Sequence, residues 1–501
     1  MGPAEWQHLW QTTFVVFPCF FLFGYNQVVV GALVSFDAFT KLFPDIDTVH
    51  ATGALESHRS LIQGVYVSSF TLGCAVGALS CSFIGDRLGR RKTICIGAVL
   101  TLVGEALSCT SFDLPQLFIG RILTGMGVGI FSSMVPVWQS ESSQAVNRGR
   151  HVVVDGIFIS SGYAVCYWIN FGFSRIQEHD VSWRVPLAIP GAFSIILCSS
   201  IFFFPESPRW LVKVGRVEEA TSELARIKRV DRDADEITSE ITAIEVSLES
   251  TTSKASSFGD IFTMKDGKLF YRLMLCIGLQ FWLQMTGAQV ISTYSTTIFQ
   301  QNLNLSDAGT RILAACAMTW KFLASFISLF TIDRFGRRVL FLICGTGLTI
   351  CMACMAITSS FSGSNKGAAI ASSFFIFLFN FFYPFGLLGP IYLYCTEVAP
   401  SRLRVIITSI STTNNWLWYA LTRFYHYGRP SLLINVLAGT SSCRWLRPLR
   451  CLPSGTSIIL YMRSSGLAML CRFTSCFLKL WARVWRDWRT CSNRTCRFLR
   501  R

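Results

Sequence analysis

Between residues 270 and 299 an apolar stretch carries three glutamines and a run of hydroxyls: Gln280, Gln284, Gln289, Ser292, Thr293 and Tyr294. On a helix, Gln280 and Gln284 share a face, and Gln289 lies about 140° round from Gln284. Amides and hydroxyls each supply donors and acceptors without charge, which suits a neutral, polyhydroxylated ligand. Hydrogen bonding between helices is the alternative use. Lys321 stands deep in another apolar stretch, where a cation is costly and points to function or to a buried ion pair. Residues 383–394 are aromatic and broken by Pro384 and Pro390, with Tyr392 among them, and Asn415-Trp416 closes the set. Asn26, after Phe23-Gly24-Tyr25, is a polar group inside a further apolar run. None of this is a nucleophile with its base. The few acids and six His give little from which to build an enzyme.

The charges are patterned. Gly85-Asp86-Arg87-Leu88-Gly89-Arg90-Arg91-Lys92 joins two apolar runs, and Asp333-Arg334-Phe335-Gly336-Arg337-Arg338 joins two more. Glu141 precedes Arg148 by seven residues, and Glu397 precedes Arg404 by the same interval. Two ordered echoes in one chain indicate an internal duplication. Positive-inside topology needs only Lys and Arg in any order. The fixed Asp-Arg-x-Gly-Arg-Arg order asks in addition for a tight turn and for bases that pair across helix ends. Arg121, opening a run with Gly120, Gly125, Gly127 and Gly129, is a cation near or within the membrane that needs a partner. Of 19 Cys, six fall after residue 422, and most others lie in apolar runs as small buried thiols. Their spacing is not that of a zinc site, so no metal and no cofactor is expected.

These residues must be held by helices that cross a bilayer. The chain has 501 residues, 51% hydrophobic and only 15% charged. Its apolar blocks run near the ~20 residues a spanning helix needs. They predict spans at 12–34, 60–84, 93–111, 115–138, 152–173, 185–204, 270–299, 310–331, 339–360, 368–394 and 405–421. The first lacks a small-residue cleavage site, so no removable signal peptide is expected. The expected class is an all-α integral membrane protein. Residues 1–204 form one bundle, 205–268 a cytoplasmic linker with short amphipathic helices, and 269–421 a second bundle. Thr251–Ser257 reads as a flexible joint, and Asn304-Leu305-Ser306 is a weak glycosylation sequon. The net charge of +16 is no nucleic-acid footprint, because residues 422–501 hold fourteen Arg and one Lys against a single Asp. That segment departs from everything before it. It reads as a frame error or retained intron, with a basic, lipid-binding tail as the alternative.

Together the motifs resemble the sugar porters of the major facilitator superfamily, fungal hexose carriers in particular, from about residue 12 to 420. The match rests on GDRLGRRK, GRILTGMG, PVWQSE with NRG, PESPRWL, LQMTGAQ, IDRFGRR, YCTEVAPSRLR and TNNW, in order. The resemblance implies two six-helix halves, alternating access and a sugar site between them, in a multi-pass protein of the plasma membrane that needs no partner subunit. It implies substrate contacts at Gln284, Gln289, Tyr294, Lys321, Tyr392, Asn415 and Trp416. It places gating or coupling at Asn26, Arg121, Glu141, Arg148, Glu397 and Arg404. The departures are specific. Leu283 replaces a glutamine, Gly156 beside Asp155 replaces another, and the last span is missing. Lys321 stands where Asn is usual and is similar to quinate permeases, so a quinate or polyol carrier is the alternative, with a non-transporting sugar receptor as a third. Proton-coupled members usually have Asp at position 26. An amide exchanges no proton, so Asn26 predicts a uniporter.

Overall fold

The computed structural model describes residues 10–428 apart from 35, 48–53, 143–147, 177–178, 229, 253–268, 294, 297–298, 300–305, 361–365 and 401–402. Every regular element among them is a helix. A π-helical turn, Thr12–Val16, leads into α1 (Phe17–Leu33), with Pro18 in its first turn, where a missing N–H costs little. There follow α2 (Ala54–Leu88), α3 (Arg90–Cys109), α4 (Leu114–Ser142), α5 (Arg148–Phe173) and α6 (Val181–Ser200). Three short helices come next: α7 (Pro208–Lys213), α8 (Val217–Lys228) and α9 (Asp235–Thr252). They bury their own small core, in which Trp210 and Leu211 meet Leu224, Ile237 and Ile241.

The second half opens with α10 (Leu269–Met285) and α11 (Ala288–Thr293). These are one expected span in two pieces, broken at Gly287, whose φ of 75° is left-handed. α12 (Asp307–Ile332) and α13 (Arg334–Met355) follow. Then come α14 (Lys366–Tyr383), a π-helical segment Pro384–Leu388, α15 (Pro390–Val398) and α16 (Arg404–Gly428). The prolines at 384 and 390 interrupt the helical ladder, and Ser328 Oγ donates to the carbonyls of Pro384 and Phe385 at 2.7 and 3.0 Å. Irregular backbone at membrane depth persists where such partners satisfy it.

Among the described residues, eight helices are long and apolar enough to cross a membrane: α1, α2, α3, α4, α6, α12, α13 and the α14–α15 run. The remaining three expected spans, α5, α10–α11 and α16, are also helical but carry a heavier polar load, including Asp155, Gln284 and Asn415. Two of those helices join the halves. α2 packs along α16, and α5 along α12. Within the first half the close packing is set by small residues. A Cβ on Gly129 of α4 would lie 2.1 Å from the carbonyl oxygen of Cys74 on α2. The helix α16 continues through Gly428, so the change of composition at 422 does not end it. Residues 429–501, the Thr251–Ser257 joint beyond Thr252 and the first two sequon positions lie outside the described residues.

Candidate functional site

The polar residues of the interrupted seventh span point into the seam between the halves. Gln284 Nε2 donates to Asn415 Oδ1 at 2.6 Å, and both side chains are buried. Gln289 Nε2 reaches the Tyr383 hydroxyl at 3.3 Å, while Tyr163 of α5 donates to Gln289 Oε1 at 3.3 Å. The Tyr163 hydroxyl also donates to Gln27 Oε1 of α1. Lys321 Nζ donates to Ser292 Oγ at 2.8 Å and sits over the rings of Tyr163 and Tyr383 at 4.4 and 4.6 Å. Trp416 Nε1 donates to Ser132 Oγ of α4 at 3.1 Å, and its ring lies 5.0 Å from Phe23. The rings of Tyr392 and Phe23 lie nearly perpendicular, with centroids 6.5 Å apart. The predicted residues Gln284, Gln289, Lys321, Tyr392, Asn415 and Trp416 therefore line one seam. Tyr294 lies outside the described residues.

The seam is closed at both ends. At one end Tyr167 donates to the Ser292 carbonyl at 2.6 Å, while Trp168, itself exposed, donates to Thr319 Oγ1 at 3.0 Å on the outside of the bundle. Arg423 Nη2 donates to the Gln27 carbonyl at 2.6 Å and to Thr293 Oγ1 at 3.0 Å. At the other end Gly156 and Gly389 bring α5 and the α14–α15 break into backbone contact. A Cβ on Gly156 would stand 2.8 Å from Gly389 N. Gly156 therefore leaves room for the halves to close where the family resemblance puts a glutamine.

Below this, the basic turns differ in depth. Gly89 and Gly336 both adopt left-handed φ, 88° and 74°, as the repeated motif requires. In the first half Arg90 grips Glu141 with two hydrogen bonds of 2.8 and 3.1 Å and reaches Asp86 at 3.2 Å. Ser207 Oγ donates to Glu141 at 2.7 Å, and Lys213 pairs with Asp86 at 2.8 Å. Glu206 accepts the backbone N–H groups of Arg90 and Arg91, each at 3.1 Å, and so satisfies the open N-terminus of α3. Burial nonetheless holds its carboxyl above the usual range. Arg404 faces Glu141 from the other half, and a Cβ on Gly85 would touch Val405. In the second half Arg337 reaches Glu397 at 2.8 Å, but both side chains are about a third exposed. Arg87, Arg334 and Arg338 are exposed, and Arg91 donates to the Phe202 carbonyl. The side chains of Arg148 and Asp333 are outside the described set.

Asn26 Nδ2 donates to Glu105 Oε1 at 2.9 Å, and Arg121 Nη2 donates to the Asn26 carbonyl at 3.0 Å. Arg121 also lies over the Phe70 ring at 4.5 Å. Its expected partner is thus a backbone carbonyl and an aromatic face. Glu105 was not among the residues singled out from sequence, although an acid inside the apolar run 93–111 is signal enough. The uniport expectation rested on an amide at position 26. A carboxyl stands one hydrogen bond from that amide. Gln27, Tyr163, Ser132 and Arg423 were also missed. Arg423 falls just past residue 422, where composition turns strongly basic, yet it is buried in the seam.

The sugar (and other) transporter family model matches residues 12–427. The chain belongs to that family. It is 35% identical over 412 residues to the major facilitator superfamily transporter mfsA of Aspergillus fumigatus, covering 81% of this chain and 75% of the relative. It is 33% identical over 406 residues to the sugar transporter STL1 of Saccharomyces cerevisiae, covering 79% and 70%. It is 31% identical over 420 residues to the low-affinity glucose transporter HXT3 of the same yeast, covering 81% and 72%. Among solved structures, the proton:xylose symporter XylE bound to 6-bromo-6-deoxy-D-glucose superposes with a TM-score of 0.75 at 20% identity, over 95% of this chain and 96% of that one. The match to XylE establishes the fold alone. The protein is a multi-pass membrane carrier of the sugar transporter family, with the all-α major facilitator fold.

Proposed function

We propose that the chain moves a hexose or a closely related sugar across the plasma membrane by alternating access. Residues 1–204 and 269–421 act as the two rocking halves, and 205–268 as the cytoplasmic linker. The observation that carries this reading is the buried pair Gln284–Asn415 within a seam lined from both halves by amides, hydroxyls and aromatic rings. A sugar entering between Gln284 and Asn415 exchanges their mutual hydrogen bond for bonds to its own hydroxyls, so desolvation is repaid without a charged partner. Trp416 and Tyr392 offer apolar faces to a pyranose ring. Rocking then trades outer contacts for inner ones, with the Arg90–Glu141 lock holding the first half rigid on its cytoplasmic side. The monomer contains the whole site, and lipid is its only other surround. The relatives are transporters, in keeping with a chain that is not an enzyme.

A second reading is favoured by one observation. Among the described residues no carboxylate pairs with Lys321, although it is fully buried in the seam. An anionic hydroxy acid such as quinate would supply the missing charge. Uptake of labelled glucose by wild type and Lys321→Asn, with quinate and glycerol as competitors, separates the two. On the leading reading glucose is taken up by both forms and quinate does not compete. Quinate competition in wild type, lost in the variant, would replace the hexose reading.

A further inference from the structure

One side of α10 carries three polar residues at intervals of about a turn. Cys276, Gln280 and Gln284 lie at i, i+4 and i+8 and so share a face. Gln284 is the seam residue held to Asn415. The other two turn to α15. Gln280 Nε2 donates to Cys395 Sγ at 3.9 Å, and the Cys276 thiol hydrogen-bonds the same sulfur. The Ser411 hydroxyl of α16 adds a further hydrogen bond to it. Both cysteines are buried, and neither is in a disulfide. Their surround is otherwise apolar, with Leu269, Leu273, Ala399, Leu403 and Ile407 packed about them. Two thiols from different spans are thus in contact, Cys276 as donor and Cys395 as acceptor. A buried cysteine that serves only as a small apolar filler needs no such partner.

The two helices that meet here are the stiff pieces beside the two breaks of this half. α10 ends just before the left-handed Gly287, and α15 follows the π-helical segment Pro384–Leu388. Each piece bears on the seam. α10 holds Gln284, and Gly389 at the head of α15 makes the contact with Gly156 that closes one end. Arg272 Nη1 also joins α10 to the Val398 carbonyl, at 3.2 Å and exposed. Such hydrogen bonds yield when helices shift during alternating access. A disulfide does not. Its S–S bond of about 2.05 Å holds the two Cα atoms about 4.4–6.8 Å apart. Closed between Cys276 and Cys395, it would fasten α15 to α10 and remove the freedom that the break at 384–388 provides.

We infer that Cys276 and Cys395 form an oxidant-responsive switch, in which a disulfide between them arrests the carrier and reduction restores it. The oxidant is hydrogen peroxide, which is small, neutral and able to reach thiols buried within a bilayer. The Cys395 sulfur attacks one peroxide oxygen, the O–O bond breaks, and the thiol proton leaves with the released oxygen as water. The Cys276 sulfur then attacks the sulfenic acid so formed, the S–O bond breaks, and its proton leaves with the hydroxyl as a second water. The two sulfurs together give up two electrons, and peroxide takes them. The inference rests on the carrier reading above and is tested so that the two fail separately.

The full chain is reconstituted in liposomes, and labelled counterflow of D-glucose, D-xylose and glycerol is measured before hydrogen peroxide, after it, and after dithiothreitol. Mass spectrometry of the same samples looks for a peptide containing Cys276 joined to one containing Cys395. In wild type, peroxide should produce the joined peptides and slow counterflow by about tenfold or more, because a conformational step of turnover is blocked. Dithiothreitol should reverse both, which separates the switch from oxidation of methionine. Cys276→Ala and Cys395→Ala should each keep counterflow before peroxide and retain it afterwards. Absence of the joined peptides in oxidised wild type overturns the switch. So do joined peptides without loss of counterflow, or an equal loss in both variants. Absence of counterflow for all three compounds in folded, reduced wild type overturns the carrier reading, and the arrest with it.

Discussion

The Gln284–Asn415 contact is the smallest unit on which the account depends. The two amides are paired at 2.6 Å and closed off from water, so removing either leaves its partner unsatisfied in the closed state and strips a donor and acceptor from the sugar. Gln284→Ala and Asn415→Ala should each raise KM by about tenfold, which corresponds to the ~1.4 kcal/mol of one or two hydrogen bonds. Because the residues touch, the double variant should lose less than the sum of the two, and a double-mutant cycle on KM measures this. Gln284 and Asn415 were legible in the sequence because amides are conspicuous in apolar runs. Tyr163 and Ser132 were not, since a tyrosine or a serine in a membrane helix has many ordinary uses and only the fold brings them against Gln289 and Trp416. Glu105 shows a different failure. Its residue type was informative, but attention went to position 26, whose amide proves to be the ligand of a carboxyl from another helix.

At the scale of elements, two features govern movement. The first is the inner contact of α5 with the α14–α15 break, where Gly156 and Gly389 meet backbone to backbone. Gly156→Val inserts branched carbon where a single Cβ already stands 2.8 Å from a backbone nitrogen. Overpacking of ~1–3 kcal/mol should open that end and cut turnover by about tenfold or more, with protein still at the membrane. Normal counterflow in this variant would show that the inner seam does not need to close there. The second is the unequal depth of the repeated basic turns. Arg90–Glu141 is buried with a full set of partners, whereas Arg337–Glu397 is partly exposed. Arg90→Ala should cost about 3–5 kcal/mol and sharply lower the melting temperature in detergent, and Arg337→Ala about 0–1 kcal/mol. The repeat itself was visible as a sequence pattern. The asymmetry was not, because it depends on Glu206 and Ser207 folding back onto α3 from beyond the first bundle.

For the whole molecule, each of the eleven apolar runs coincides with helix among the described residues, eight of them long and apolar enough to cross a membrane, and the duplicated motifs mark the two halves. Hydrophobic length is a strong constraint in a bilayer, where each helix must satisfy its own backbone. What run length could not supply was which faces meet, and hence the closed seam with Tyr167 and Arg423 at one end and Gly156 with Gly389 at the other. The composition shift at residue 422 also misplaced the end of α16, since a single arginine that belongs to the seam resembles the many that follow it. The central claim is that this seam binds and carries hexose. The direct measurement is labelled glucose uptake in a host lacking its own hexose carriers, comparing wild type with Gln284→Ala at equal surface amounts. Saturable uptake competed by unlabelled hexose, with KM raised about tenfold in the variant, is the predicted result. Wild-type protein at the surface without hexose uptake, or a variant indistinguishable from wild type, would contradict it.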